Sequence, residues 1–275
     1  MMAEAAVDFT GIVVSRQDYR EHDALVRFLT QQYGFKTFIA RGLKRPKAKL
    51  AGVTLPFTLG DYVGVVRAQG LSQLRTAKGT HLFRQPMADI VINAYATYIF
   101  DLIRMAIPEG QAIPKWYDIG KNVLLGLDRG LDAGILANIV EIQLLPAFGV
   151  APQLRVCAIC GRDDRPMDYS ESAGGLICSR HWAQDPHRFH ASAKTIYYMR
   201  RFSVVNIGQI QSIKVNNTTK AELRTFIDRI YSDTVGAYPR SKRFIDSLGQ
   251  WNEDFKPLPP RNAAPNDQRS DDHDD

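Results

Sequence analysis

The three cysteines of this 275-residue chain lie close together and constrain its fold more than any other feature. Two residues separate Cys157 from Cys160, and two separate Cys178 from His181. Zinc prefers four sulfur or nitrogen ligands in a tetrahedron, and this spacing lets both side chains of one turn reach the same ion. The sequence therefore predicts one structural zinc ion held by Cys157, Cys160, Cys178 and His181.

The fourth position has more than one candidate ligand in the sequence. His187, His190 and Asp163 are also close in sequence and offer other donors for the fourth position. The alternative is that the cysteines are ordinary thiols that bind no metal. Gly161, Gly174 and Gly175 would supply the tight turns that such a knuckle needs.

Composition indicates a globular protein that functions in the cytoplasm. Hydrophobic residues make up 45% of the chain and charged residues 23%, as in ordinary soluble domains. The first residues carry acids where a secretory signal would be basic, and no apolar run is long enough to cross a bilayer. We expect no membrane association.

The charge of the chain is unevenly distributed. The net charge is +6. Residues 1–260 carry +9, and residues 1–86 supply +7 of that, with 13 Lys and Arg against six Asp and Glu. Residues 261–275 carry −3. A localised basic excess is typical of a surface that meets nucleic acid or another polyanion.

The hydrophobic pattern predicts a multidomain α+β fold. Residues 1–83 contain five candidate strands, near 9–15, 23–30, 35–41, 60–67 and 71–78, and five short strands favour a small OB-type barrel. Residues 84–255 have helical periodicity, with Asp132 and Ser192 as N-caps, and the zinc knuckle is inserted at 155–185. Residues 256–275 are predicted to be a disordered acidic tail, which either competes with nucleic acid or is a solvated end without a role.

A cationic loop is the candidate nucleic-acid site. Its five basic residues, with no acid among them, are Arg41, Lys44, Arg45, Lys47 and Lys49. Gly42 and Pro46 disfavour regular structure here, so the side chains can follow a phosphate backbone. The alternative is a solvated charged turn. Smaller basic clusters occur at residues 200–201 and 240–243.

Aromatic residues near this loop are candidate platforms for unpaired bases. Phe28 and Phe38 lie in apolar runs and are expected in the core. Tyr33 and Phe35 flank Gly34 at a predicted turn and are the candidates for exposed positions.

Motifs of catalysis are missing from the sequence. It has no phosphate-binding glycine loop, no G-x-S-x-G elbow and no H-E-x-x-H pair. No Asp or Glu lies between Ala24 and Gly60, so the most basic stretch cannot supply the carboxylates of a two-metal nuclease. We expect a protein that is not an enzyme.

Together these features resemble the bacterial RecO family of recombination mediators. The likeness lies in Tyr19, Glu21, Asp23, Leu25, Val26, Phe28, Leu29 and Thr30 with Gly34, then in Ala40-Arg41-Gly42 with Lys44, Arg45 and Leu50, then in Pro56-Phe57, and late in Ser241, Lys242 and Phe244. The order and spacing of these short motifs carry the resemblance, which spans most of residues 8–250.

The resemblance implies a DNA repair and recombination protein, cytoplasmic and associated with the nucleoid. Such a protein binds single- and double-stranded DNA, anneals complementary strands, takes the acidic tail of the single-strand-binding protein SSB, and works with RecR to load RecA. By position, the five basic loop residues would lie on the DNA-binding side of the barrel, and the three cysteines would bind zinc. Family members with zinc usually have a cysteine in place of His181. The competing class is an OB-domain RNA-binding or transcription-associated zinc protein, and a nuclease is a third.

Overall fold

The computed structural model describes residues 5–254, and side chains only as far as residue 247. The tail predicted at 256–275 lies outside the described residues. Five strands precede seven helices, and a two-stranded hairpin, β6 (Met167–Ser170) and β7 (Gly175–Cys178), lies between the fourth and fifth helices.

The N-terminal strands form a closed barrel. They are β1 Val7–Tyr19, β2 Asp23–Thr30, β3 Gly34–Ala40, β4 Thr58–Val65 and β5 Ser72–Leu82. Their order around the barrel is β1-β2-β3-β5-β4, β4 pairs back with β1, and only β3 and β5 run parallel. Closure gives every strand two neighbours, although β3 and β5 pair only through Phe38 with Ser72 and Ile39 with Gln73. The fold class predicted from the sequence, an OB-type barrel followed by helices, is confirmed.

Aromatic side chains fill the barrel interior. Phe9 stacks on Phe38 with ring centroids 4.7 Å apart, and Phe28 meets Tyr62 edge-on, also at 4.7 Å. All four rings are buried. The prediction that Phe28 and Phe38 belong to the core is confirmed, and Tyr62 cannot act as a platform for bases.

The prediction of an exposed Phe35 is wrong. Phe35 is 1% exposed and packs in the hydrophobic core that also contains the helices. Gly34 has a φ of 64°, and a Cβ there would lie 1.9 Å from the carbonyl oxygen of Gln111. The turn before β3 is therefore covered by the loop between α2 and α3. Tyr33 is half-buried.

The helical part surrounds α4. The helices are α1 Gln85–Ala88, α2 Ile90–Ala106, α3 Pro114–Asp128, α4 Ala133–Leu144, α5 Ala193–Phe202, α6 Asn217–Ile230 and α7 Arg240–Asp254. Asp132 caps α4 and Ser192 caps α5 through their side chains, as predicted. No described helix is long and apolar enough to span a membrane.

The barrel and the helices share one hydrophobic core. Ile12, Leu29 and Phe35 of the barrel pack in the same cluster as the helices. Gly120 lets α3 pack closely against Phe100, because a Cβ at this position would lie only 2.8 Å from the Phe100 ring. The division of the chain into domains at residues 83 and 84 stays a prediction.

A buried ionic cluster joins three helices. Glu141 on α4 is fully buried, and its oxygens accept bonds of 2.7 and 2.9 Å from Arg224 on α6. The hydroxyl of Tyr98 on α2 donates to the same carboxylate, and Arg224 also pairs with Asp228 at 2.8 Å. Burial, followed by the charge of Glu141, raises the pKa of Tyr98 well above its usual value, so this phenol stays protonated.

Candidate functional site

The cysteine knuckle is built from a turn, a hairpin and a short 3₁₀ helix. Cys157 and Cys160 lie on the turn, which Gly161 closes by donating to the Cys157 carbonyl over 2.9 Å. Cys178 ends β7 (Gly175–Cys178), which pairs with β6 (Met167–Ser170). The 3₁₀ helix Ser179–Gln184 then brings His181 back toward the cysteines.

The four side chains converge on one point. One ligand atom from each of Cys157, Cys160, Cys178 and His181 lies within 4.8 Å of the others. The Cys160 and Cys178 sulfurs are 3.8 Å apart, and His181 Nδ1 lies 3.5 Å from Cys157 Sγ and 3.3 Å from Cys178 Sγ. This group could hold a metal ion.

These distances match the edges of a tetrahedral zinc site. Zinc–sulfur bonds of about 2.3 Å and zinc–nitrogen bonds of about 2.0–2.1 Å place two sulfurs about 3.8 Å apart, and sulfur and nitrogen about 3.6 Å apart. The donor set of three thiols and one imidazole is also typical of zinc. Four protein ligands complete a tetrahedron and leave no open position for a substrate, as in structural sites.

The first cysteine is prepared to bind a cation. Burial acts against ionisation of Cys157, but backbone N–H groups, including those of Cys160 and Cys178, lower the pKa of its thiol to about 6. Only a thiolate ligates a metal.

The other candidate donors lie outside this group. The ring of His190 points toward the carbonyl of Pro186, with Nε2 3.2 Å from the oxygen. Neither His187 nor Asp163 belongs to the cluster of ligand atoms among the described residues. The structure therefore brings together the four residues that the spacing predicted.

The cationic loop leaves the end of β3 and is held against the first hairpin. The backbone N–H of Gly42 donates to Asp23 Oδ1 over 2.8 Å, and that of Lys44 donates to the His22 carbonyl over 3.0 Å. Leu43 is buried against the barrel core. Asp23 thus positions the loop.

The side chains of all five predicted basic residues are exposed. Lys44 forms an ion pair with Asp18 at 2.8 Å. The other four, Arg41, Arg45, Lys47 and Lys49, have no ion-pair partner in the described part of the chain. Their positive charge therefore stays available to a polyanion. Whether they contact nucleic acid stays a prediction.

Further basic residues that sequence reasoning missed lie on the barrel strands. Arg27 on β2 faces Thr37 on β3, with Nε 3.4 Å from Oγ1, and Arg16 on β1 donates to the carbonyl of Ala51 at the end of the loop. The alternation of Val26, Arg27 and Phe28 along β2 was the available signal, because successive residues of a strand point to opposite faces and Val26 and Phe28 are buried.

Geometry and chemistry together define a class of protein: an OB-type barrel with a cationic loop, joined to a helical part that carries a Cys₃His metal-binding group. Residues 2–83 match the family described as "Recombination protein O N terminal", and residues 87–243 match "Recombination protein O C terminal". The chain belongs to the RecO family, and its function is in DNA repair and recombination.

Curated relatives support this assignment over nearly the whole chain. The chain is 49% identical to the DNA repair protein RecO of Levilactobacillus brevis over 256 residues, which cover 93% of this chain and 98% of the relative. It is 48% identical to the protein of that name from Lactiplantibacillus plantarum, with 92% and 97% covered. For Limosilactobacillus reuteri the identity is 39%, with 94% and 98% covered.

Proposed function

We propose that this protein is a recombination mediator that binds single- and double-stranded DNA and anneals complementary strands. With RecR, it would help to load RecA onto single strands coated by SSB. The observation that carries the proposal is the loop at one end of the barrel, in a chain of the RecO family, with four exposed cations that pair with no residue of the described range 5–254. Because its substrate would be chromosomal DNA, it would act in the cytoplasm at the nucleoid.

The mechanism requires charge neutralisation and no bond cleavage. Two DNA strands repel each other through their phosphates, and cations on a protein surface replace the counterions that otherwise screen them. Arg41, Lys44, Arg45, Lys47 and Lys49 would supply this charge, while contact with SSB would bring the protein to coated strands. We therefore propose that it is not an enzyme.

We also propose that the metal of the Cys₃His group is one zinc ion with a structural role. Cys157, Cys160, Cys178 and His181 would hold it, and the ion would supply a crosslink between the knuckle turn and the β6–β7 hairpin. Nothing in the annealing step would pass through it.

The proposal is tested by annealing two complementary labelled oligonucleotides, each coated with cognate SSB, across a salt series. We expect acceleration that falls with rising salt and leaves the strands intact. No acceleration by folded protein, together with tighter binding to bare RNA of equal length, would support the RNA-binding class instead. Metal-dependent shortening of a strand would indicate a nuclease.

The loop makes a separate quantitative prediction. Replacing Lys44, Arg45 and Lys47 by alanine should weaken single-strand binding and reduce the slope of log K against log salt by about 2, since each lost phosphate contact contributes about 0.7. Fluorescence anisotropy at several salt concentrations measures the slope. The matched control removes three cations from the helical part, Lys115, Lys121 and Lys214, and should leave the slope unchanged. Equal slopes for the two triple variants would exclude this loop as the contact surface.

A further inference from the structure

A groove outside the proposed DNA surface has a strong positive charge. It lies between β6, α5 and the 3₁₀ helix after the knuckle, and has a volume of about 610 Å³, within the range of about 300–1,000 Å³ usual for ligand pockets. Arg165, Arg188, Arg200 and Arg201 line it, and Asp168 is the only acid among the described residues that do. The net charge of the lining is therefore +3.

The single acid cannot neutralise these arginines. Asp168 is buried and accepts hydrogen bonds from the backbone N–H groups of Tyr169, His190 and Ala191 at 2.8 to 3.1 Å. Its remaining charged contact is with Arg188 Nε at 3.1 Å. The Asp168 carboxylate is thus occupied by backbone hydrogen bonds and by its pairing with Arg188.

The other three arginines keep donors available. Arg200 donates to the carbonyl of Arg155 through one nitrogen, at 2.7 Å. The guanidinium groups of Arg165 and Arg201 make no hydrogen bond or ion pair with any residue that the structure describes. A guanidinium binds a carboxylate through two parallel N–H bonds, so several of them around a concave wall favour a carboxylate-rich peptide.

The same chain contains a segment of matching chemistry. Residues 270–275 read Ser-Asp-Asp-His-Asp-Asp, with four carboxylates and no lysine or arginine. The 21 residues after Asp254 can span up to about 70 Å, whereas a compact chain of this length has a radius of gyration of about 19 Å. Because the segment is covalently attached, even weak pairing with the groove would gain from a high effective concentration.

We propose that the acidic segment 270–275 docks in this groove of its own chain, with its Asp carboxylates paired to Arg165, Arg200 and Arg201. The groove suits it better than the loop at residues 41–49, since that loop is an exposed turn with three lysines among its five cations. The docked segment would shield the groove from other polyanions and leave the loop open.

The test is photo-crosslinking in the full, metal-loaded chain with His273 replaced by benzoylphenylalanine. After irradiation at low salt, mass spectrometry maps the attachment site, and a mixture of light and heavy isotope-labelled protein separates crosslinks within a chain from those between chains. We expect crosslinks within one chain to residues of the 165–201 segment. Crosslinks to residues 41–49, crosslinks only between chains, or none at the groove would overturn the proposal.

Charge variants sharpen the result. Arg165→Glu combined with Arg201→Glu should lower the crosslink yield at the groove about fivefold or more, since two exposed ion pairs are lost. Replacing Asp271, Asp272, Asp274 and Asp275 by asparagine should do the same without altering any described residue. The control, Lys47→Glu with Lys49→Glu, removes the same number of cations from the loop and should leave the yield unchanged. A loss of yield in this control and not in the groove variant would contradict the assignment.

Discussion

Replacement of Cys178 by serine is expected to abolish stoichiometric zinc binding and to unfold the knuckle locally. Cys178 is fully buried at the end of β7, and its sulfur lies within 3.8 Å of both Cys160 Sγ and His181 Nδ1. A serine hydroxyl is a poor zinc ligand, and structural zinc contributes apparent binding energies of about 10–16 kcal/mol in isolated zinc-finger peptides. Bound zinc, measured on purified protein by mass spectrometry, should fall from about one equivalent to near zero.

Two histidine variants test which side chains bind the zinc ion and which only lie near it. His187→Ala removes an exposed histidine near the knuckle and should retain the full equivalent of zinc. His181→Cys converts the site to four thiolates and should also retain it, because both Cys₃His and Cys₄ sets occur in structural sites. Full zinc content in Cys178→Ser protein, or loss of zinc from His187→Ala protein, would show that the four converging side chains do not form the site.

Local patterns in the sequence were sufficient for the barrel and for the three cysteines of the metal-binding group. The alternation in β2 and the glycine and proline turns between strands are short-range signals, and five such strands close in few ways. The cysteine pairs are equally local, because each two-residue gap is set by one turn. For the fourth ligand the sequence offered several donors, since it does not show that the 3₁₀ helix at Ser179–Gln184 turns His181 inward.

Long-range packing accounts for what the sequence did not predict. Phe35 follows a glycine turn, which usually indicates exposure, but the loop between α2 and α3 covers it, and Gly110 donates to the Phe35 carbonyl over 3.3 Å. That loop is more than 70 residues away along the chain, and no local pattern marks the contact. The pairing of Arg27 with Thr37 likewise depends on the register between β2 and β3.

The buried ionic cluster is the clearest example of such a contact. Glu141 and Arg224 are 83 residues apart, and each alone is typical of an exposed helix position. Only the packing of α4 against α6 brings them together. Because Glu141 is completely buried, its charge can be tolerated only while Arg224 and Tyr98 bind it.

Arg224→Leu is therefore expected to destabilise the protein by about 3 kcal/mol, since it leaves a buried carboxylate without its cation. Breaking a buried ion pair costs about 3–5 kcal/mol. The lower value applies here, because 27% of the Arg224 side chain remains exposed. Urea unfolding followed by circular dichroism should show a lower midpoint. The matched control is Arg104→Leu, whose partner Asp101 lies 3.5 Å away at a more exposed site, and it should cost less than about 1 kcal/mol.

A double variant separates the two contributions to this loss. Most of the destabilisation in Arg224→Leu comes from the unpaired charge of Glu141 and little from the lost attraction. The attraction within a buried ion pair is only slightly larger than the free energy needed to desolvate its two charges. Adding Glu141→Leu removes that charge, so the double variant should recover a large part of the lost stability. Asp228 would still have Lys242, 3.2 Å away. Equal stability losses in the double and single variants would mean that the cluster stabilises the helices through its hydrogen bonds and packing, and that the buried charge is not the cause.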